Sequence, residues 1–91
     1  MRKELLTSPV FKHSQAAKTF RIGRRDFDRI AVGYEVGEWY GIDDDCSNCG
    51  VATGFLHLLP CDLEQCPRCH GQALSCSCSY EKRPSEFTPD A

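Results

Sequence analysis

The sequence predicts a small metal-stabilised fold, mostly β and irregular, with an N-terminal strand or hairpin followed by a knuckle-like, ribbon-like module. Three observations predict it. All seven cysteines of the 91 residues fall between Cys46 and Cys78. Together with His57 they form four close pairs, Cys46/Cys49, His57/Cys61, Cys66/Cys69 and Cys76/Cys78, and eight S/N donors fill two closed tetrahedral zinc sites. Finally, a chain this short, with so much of it given to cysteine-rich sequence, has little left for an ordinary apolar core and needs metal or disulfides to fold.

Metal is favoured over disulfides on two grounds. Seven thiols leave one unpaired in any all-disulfide scheme, whereas Cys₇His₁ divides evenly into two sites. The opening MRKELLTSPVFKHSQ has no apolar h-region of a secretory signal, so the expected setting is the reducing cytoplasm, where such cysteines are ligands. No apolar run approaches a membrane span; the longest, residues 54–60, is interrupted by His57.

The formal net charge of −2 hides an asymmetry. Residues 1–29 carry eight Lys/Arg against three acids, and residues 30–91 carry three against ten, giving +5 and −7. Two zinc ions on seven thiolates make the second part more negative still. An anionic module is poorly suited to grip a phosphate backbone, because that grip comes from Lys and Arg.

Residues 1–19 read as a basic N-terminal arm. Pro9 prevents one continuous helix, and Ser14 is a candidate cap for a short helix over residues 15–20. Two turns are marginal alone, so partial disorder is the plain alternative. Residues 20–45 hold a β segment and an acidic linker. Phe20–Gly23 alternates apolar and polar, and residues 28–35 are rich in β-branched and aromatic side chains, with 23–26 as a turn between two strands. Trp39 and Tyr40 form either a lid over the module or an exposed contact patch. Asp43, Asp44 and Asp45 read as a solvated linker rather than a Ca²⁺ or Mg²⁺ site, since consecutive side chains of an extended chain cannot all face one ion.

Residues 46–79 form the two-zinc module. Cys46-Ser-Asn-Cys49-Gly50 and Cys66-Pro-Arg-Cys69-His70-Gly71 are knuckles, with Gly50 and Gly71 allowing the chain to leave each turn at positive φ. Two pairings stay open. The sequential one joins Cys46, Cys49, His57 and Cys61 at one site and Cys66, Cys69, Cys76 and Cys78 at the other. The interleaved one joins Cys46, Cys49, Cys66 and Cys69, leaving His57, Cys61, Cys76 and Cys78. An extended run over 70–76 would carry Cys76 roughly 20 Å from Cys69 at about 3.3 Å per residue, which excludes the sequential pairing. Short local loops and a turn at Gly71 favour it. His57 is the expected eighth ligand, with His70 as its substitute. Residues 60–65 read as one helical turn, with Glu64 on its surface, and Phe55, Leu56, Leu58, Leu59, Leu63 and Leu74 as a small core. Residues 80–91 read as a disordered tail.

The pattern Cys46-x-x-Cys49-Gly50, Gly54-x-x-His57, Cys61-Asp62-x-Glu64-x-Cys66-Pro67-x-Cys69-x-Gly71-Gln72 and Ser75-Cys76-x-Cys78 resembles a group of small bacterial and phage zinc-ribbon-like proteins without an assigned activity. The segment from Arg29 to Glu35 fits more loosely, so the resemblance covers about residues 28–79. It implies a zinc-binding fold with the pattern's histidine at His57.

A catalytic zinc needs an open position, and eight ligands for two metals leave none. The expectation is therefore not an enzyme but a zinc-binding interaction or regulatory module that uses an acidic rigid face to meet a protein partner. Self-association between the basic and acidic parts is a further option. The alternative is nucleic-acid binding through residues 20–29, where Arg21, Arg24, Arg25 and Arg29 interleave with Phe20 and Phe27. The bland reading of those arginines is a solvated hairpin face paired with Asp26 and Asp28.

Overall fold

The computed structural model describes residues 1–39 and 41–86. They form a flattened body of 36 × 33 × 17 Å. Two short helices, α1 (Lys3–Leu6) and α2 (Pro9–Ala16), lead into an antiparallel hairpin of β1 (Thr19–Ile22) and β2 (Arg25–Asp28). Beyond the hairpin the chain consists mostly of turns and is closed by a 3-10 turn at Pro84–Glu86. Among the described residues no helix is long and apolar enough to cross a membrane.

The N-terminal residues are helical rather than a loose arm. Pro9 starts α2 instead of only interrupting a helix, because at the first helical position its missing N–H costs nothing. The cap is Ser8, whose Oγ accepts the Phe11 N–H at 3.3 Å. Ser14, the expected cap, lies inside α2 and is fully buried, its Oγ accepting the Leu59 N–H at 2.9 Å. Gln15 takes both backbone groups of Leu56: its amide donates to the carbonyl and its Oε1 accepts the N–H at 3.0 Å. These contacts explain why α2, marginal alone, holds. They supply backbone partners to the 56–59 segment and insert Phe11 beneath it.

The hairpin lies earlier than the residue composition suggested. Phe20 pairs with Phe27 and Ile22 with Arg25, leaving Gly23 and Arg24 as a two-residue turn with φ of +58° and +71°. Both central residues at positive φ is the turn whose twist suits a hairpin. Residues 29–35, expected as strand, are irregular. Their β-branched side chains serve packing instead, with Val32 fully buried. Phe20 and Ile22 face inward from β1. On the other edge of β1, Ile22 bridges to Tyr80, and Glu81 N–H donates to the Arg21 carbonyl at 2.9 Å. Residues 80–86, expected as part of a disordered tail, are thus tied to the hairpin, with Pro84 buried. Residues 87–91 lie outside the described residues.

Two small cores result. Phe20, Ile22, Leu59 and Ala73 pack with Cys66 and Cys78; Phe11, Val32 and Val51 pack with Cys46 and Cys61. Of the apolar residues expected in the core, only Leu59 is buried; Phe55 is exposed at 39% and tilts against Phe11. The aromatic anchors come from the N-terminal third instead.

Candidate metal centres

The two knuckles repeat one backbone pattern. Cys46 N–H donates to the Val51 carbonyl and Gly50 N–H to the Cys46 carbonyl; Cys66 N–H donates to Gly71 and His70 N–H to Cys66 in the same way. Bridges Asp45–Ala52 and Gln65–Gln72 flank them at the same offsets. Each knuckle leaves its turn through a residue at positive φ. In the first it is Gly50 at +79°, as expected; in the second it is His70 at +64°, not Gly71. Gly71 has a different use. Its N–H points at Cys69 Sγ over 3.4 Å, and an added Cβ would sit 3.4 Å from that sulfur. His70 is exposed and joins neither cluster.

The donor atoms gather sequentially. Those of Cys46, Cys49, His57 and Cys61 all lie within 4.8 Å of one another, and so do those of Cys66, Cys69, Cys76 and Cys78. These two groups can each hold a metal ion. The deciding feature is residues 72–76. They do not extend but turn, with Ser75 and Cys76 N–H groups both donating to the Gln72 carbonyl. That turn brings Cys76 and Cys78 back to Cys66 and Cys69. Residues 60–65 likewise form a tight turn, with Glu64 N–H on the Cys61 carbonyl, rather than a helical one.

In the first centre Cys46 Sγ lies 3.7 Å from Cys61 Sγ, and Cys49 Sγ 3.7 Å from His57 Nδ1. His57 is fully buried and turns its other nitrogen, Nε2, to Glu35 Oε2 at 3.3 Å. Glu35 Oε1 in turn accepts the Gly33 N–H at 3.0 Å. A carboxylate on the free nitrogen of a ligating histidine fixes the tautomer and raises its basicity. Glu35 had no signature in the spacing, since it lies 22 residues before His57. Asn48 adds an N–H to Cys61 Sγ at 3.4 Å. The Cys49 sulfur and burial push the Cys61 thiol up to about 12. Burial acts to lower the His57 pKa, but Cys61, Glu64 and Glu35 outweigh it and raise it.

The second centre is more open. Cys66 and Cys78 are buried with sulfurs 3.9 Å apart, Cys76 is half-buried and Cys69 is exposed. Two arginines face its sulfurs. Arg68 Nη1 lies 3.5 Å from Cys78 Sγ, and Arg83 Nη1 lies 3.9 Å from Cys76 Sγ. They offset much of the negative charge that four thiolates would bring. Burial works to raise the Cys66 thiol, but the Tyr80 hydroxyl nearby and the backbone N–H groups of Cys69 and Arg68 bring it down to about 7. The Tyr80 hydroxyl itself is buried and makes no hydrogen bond of ordinary length.

Between the centres sits a buried ion pair. Arg29 and Glu64 side chains are both fully buried, with Nε on Oε2 at 2.8 Å and Nη2 on Oε1 at 2.9 Å. Arg29 also donates to the carbonyls of Ser14, Ala17 (2.8 Å) and His57 (2.9 Å). All five of its N–H donors are thereby used, and its guanidinium lies 5.2 Å from the Phe20 ring centre. Glu64, expected on the surface of the turn, is instead the buried counter-ion of Arg29, and Arg29 is the residue that joins α2 and the His57 loop to the end of the hairpin.

The remaining sequence-predicted contact residues scatter. Arg21 pairs with Asp26 at 3.2 Å and Glu81 at 3.3 Å. Arg24 and Arg25 are exposed at the hairpin turn, with Arg25 over the Phe27 ring at 5.6 Å. Phe20, the expected stacking partner of a base, is fully buried and out of reach of any ligand. Trp39 is half-buried, its indole N–H on the Leu63 carbonyl at 2.7 Å. Tyr40 lies outside the described residues. Asp45 lies 3.2 Å from the α-amino group of Met1, while Asp43 and Asp44 are exposed. Comparison with protein-family models, curated proteins and solved structures finds no match for this chain.

Proposed function

We propose that this chain is a non-enzymatic zinc protein in which two closed zinc sites shape a surface for a protein partner. The observation that carries the reading is the pair of four-donor clusters, each within 4.8 Å. The donor chemistry, three thiols with an imidazole and four thiols, is that of structural zinc. The spacing fits as well. Zinc–sulfur bonds of about 2.3 Å give a tetrahedral sulfur–sulfur edge of roughly 3.8 Å, against 3.7 Å for Cys46/Cys61 and 3.9 Å for Cys66/Cys78.

Four protein donors at each site leave no position for water or substrate, so the metal's contribution is folding free energy. With so few regular elements, the chain depends on that contribution. The setting that suits it is the reducing cytoplasm of the bacterial or phage-infected cell that the sequence resemblance implies, with thiols kept as ligands. Native mass spectrometry tests the proposal directly. Two zinc ions per chain are expected, with loss of folded structure on chelation. One zinc, or a disulfide-bonded form indifferent to chelator, overturns it.

A second reading is favoured by one observation, the exposure of Arg24 and Arg25 at the hairpin turn. Nucleic-acid binding there predicts retention on single- or double-stranded DNA or RNA at low salt, lost on Arg24→Ala/Arg25→Ala. The burial of Phe20 and Arg29 removes two of the groups this reading relied on.

A further inference from the structure

The loop over residues 33–39 is unusual in being both exposed and held. Tyr34 and Val36 are exposed at 68% and 52%, among the largest apolar exposures in the described residues. Yet the backbone that carries them is anchored at three points. Val36 gives both its N–H and its carbonyl to the Gln65 side-chain amide, at 2.7 and 2.8 Å. Glu35 reaches back to the Gly33 N–H and across to His57. Trp39 is pinned to Leu63. Gln65 precedes Cys66 of the second metal centre, His57 belongs to the first, and Leu63 lies between them. An exposed Tyr and Val on a loop tied to both centres do not minimise solvent-exposed apolar area, and the loop is not simply floppy.

The surroundings specify the occupant. Trp39 lines two hollows, of about 370 and 320 Å³, and the first is also lined by Gly33, Glu35 and Gly37, the chain neighbours of Tyr34 and Val36. Asp43 lines one; Glu38 and Asp62 line the other. Among the described residues, no Lys or Arg lines either hollow. We infer that Tyr34, Val36 and Trp39 form the docking surface for a partner-protein segment that sets an apolar anchor residue between Lys or Arg residues. The apolar anchor covers Tyr34 and Val36, and the flanking cations meet Glu38, Asp43 and Asp62. Aromatic residues in such a position carry a disproportionate share of interface energy, while rim charges steer the encounter and set the partner's sign. Because the loop is already fixed, docking does not have to order it, which lowers the cost of binding. This inference rests on the zinc reading, since metal is what holds His57 and the Cys66 knuckle in place.

The test uses the full zinc-loaded chain as bait for a random peptide display library, with affinities of enriched peptides then measured by fluorescence anisotropy. Enriched peptides should combine Lys or Arg with a central Leu, Ile, Phe or Trp. Tyr34→Ser/Val36→Ser should weaken them at least tenfold, and Glu38→Lys/Asp62→Lys comparably, while Arg24→Ala/Arg25→Ala leaves binding unchanged. Native mass spectrometry of each variant should still show two zinc ions, which separates loss of the surface from loss of the fold. Acidic or patternless peptides, or binding undiminished by Tyr34→Ser/Val36→Ser, overturn the inference while leaving the zinc reading intact. So does concentration-dependent dimerisation abolished by Tyr34→Ser/Val36→Ser, which would assign the surface to a second copy of the chain. A bait without zinc refutes the underlying reading instead.

Discussion

Glu64→Gln and Arg29→Met probe the same buried pair and should not cost the same. Removing one partner of a buried ion pair costs about 3–5 kcal/mol, because the other charge is left without compensation. Glutamine keeps one acceptor for the guanidinium, which places Glu64→Gln at the low end, about 3 kcal/mol. Arg29→Met removes more. Besides stranding Glu64, it leaves the carbonyls of Ser14, Ala17 and His57 without the donors they now have. At about 1 kcal/mol or more for each orphaned carbonyl, the total reaches roughly 6 kcal/mol. A small domain has about 5–15 kcal/mol in all, so Arg29→Met should be close to unfolded. Burial pushes the Glu64 carboxyl pKa up and Arg29 pulls it down. The geometry, with both oxygens accepting from one guanidinium, is that of a carboxylate. The assay is urea denaturation of zinc-loaded protein followed by Trp39 fluorescence. Free zinc is buffered, because ligand concentration shifts apparent stability. With a slope of about 1–3 kcal/mol per molar urea, Glu64→Gln should lower the midpoint by roughly 1–3 M. A shift under about 0.5 M would mean that no charge is stranded. Equal shifts for the two variants would refute the role given to the three carbonyls.

Three further outcomes are expected. Glu35→Gln should weaken zinc at the His57 centre by about 10–100-fold through loss of the carboxylate on Nε2; a competitive chelator titration reads this, and equal weakening at both centres would contradict it. Alkylation during chelation should label Cys69 and Cys76 before Cys46 and Cys61, because the second centre is the exposed one; the reverse order, read by peptide mass spectrometry, refutes the ranking. On the zinc reading the metal must displace thiol protons, and the Cys49 sulfur and burial push the Cys61 thiol up to about 12. Protons therefore compete with metal more strongly as pH falls, so apparent affinity should drop steadily from about pH 8 to pH 6, with proton release visible as buffer-dependent heat of binding. A pH-independent affinity would argue against thiolate ligation.

What the sequence could show about the metal centres, it showed because ligand chemistry is local. A Cys-x-x-Cys knuckle needs only a tight turn, so Cys46/Cys49 and Cys66/Cys69 announce themselves without any tertiary context. His57 was legible by count, as the eighth donor for seven thiols. The two-stranded hairpin could be read in its first strand and its turn near Gly23, but its second strand is Arg25–Asp28 and not residues 28–35. The Gly23-Arg24 turn selects strands on either side of it, and the β-branched run after Arg29 was a misleading signal whose Val32 went to packing.

The pairing of the ligands could not be read. It turned on whether residues 72–76 extend or turn, and that depends on where the Cys66 knuckle and Ala73 pack. The same holds for α2, which is too short to form on propensity and persists because Phe11, Ser14 and Gln15 find partners in and beside the His57 segment. Nothing in the spacing relates Arg29 to Glu64, or Glu35 to His57; these are meetings across 35 and 22 residues. By itself the sequence determined which atoms can bind metal, since that is written in residue type and short spacing. The tertiary structure alone decided which four meet at each centre and which charges are buried between them. Burial and long-range contact are properties of the packed chain, and no local stretch of it encodes them.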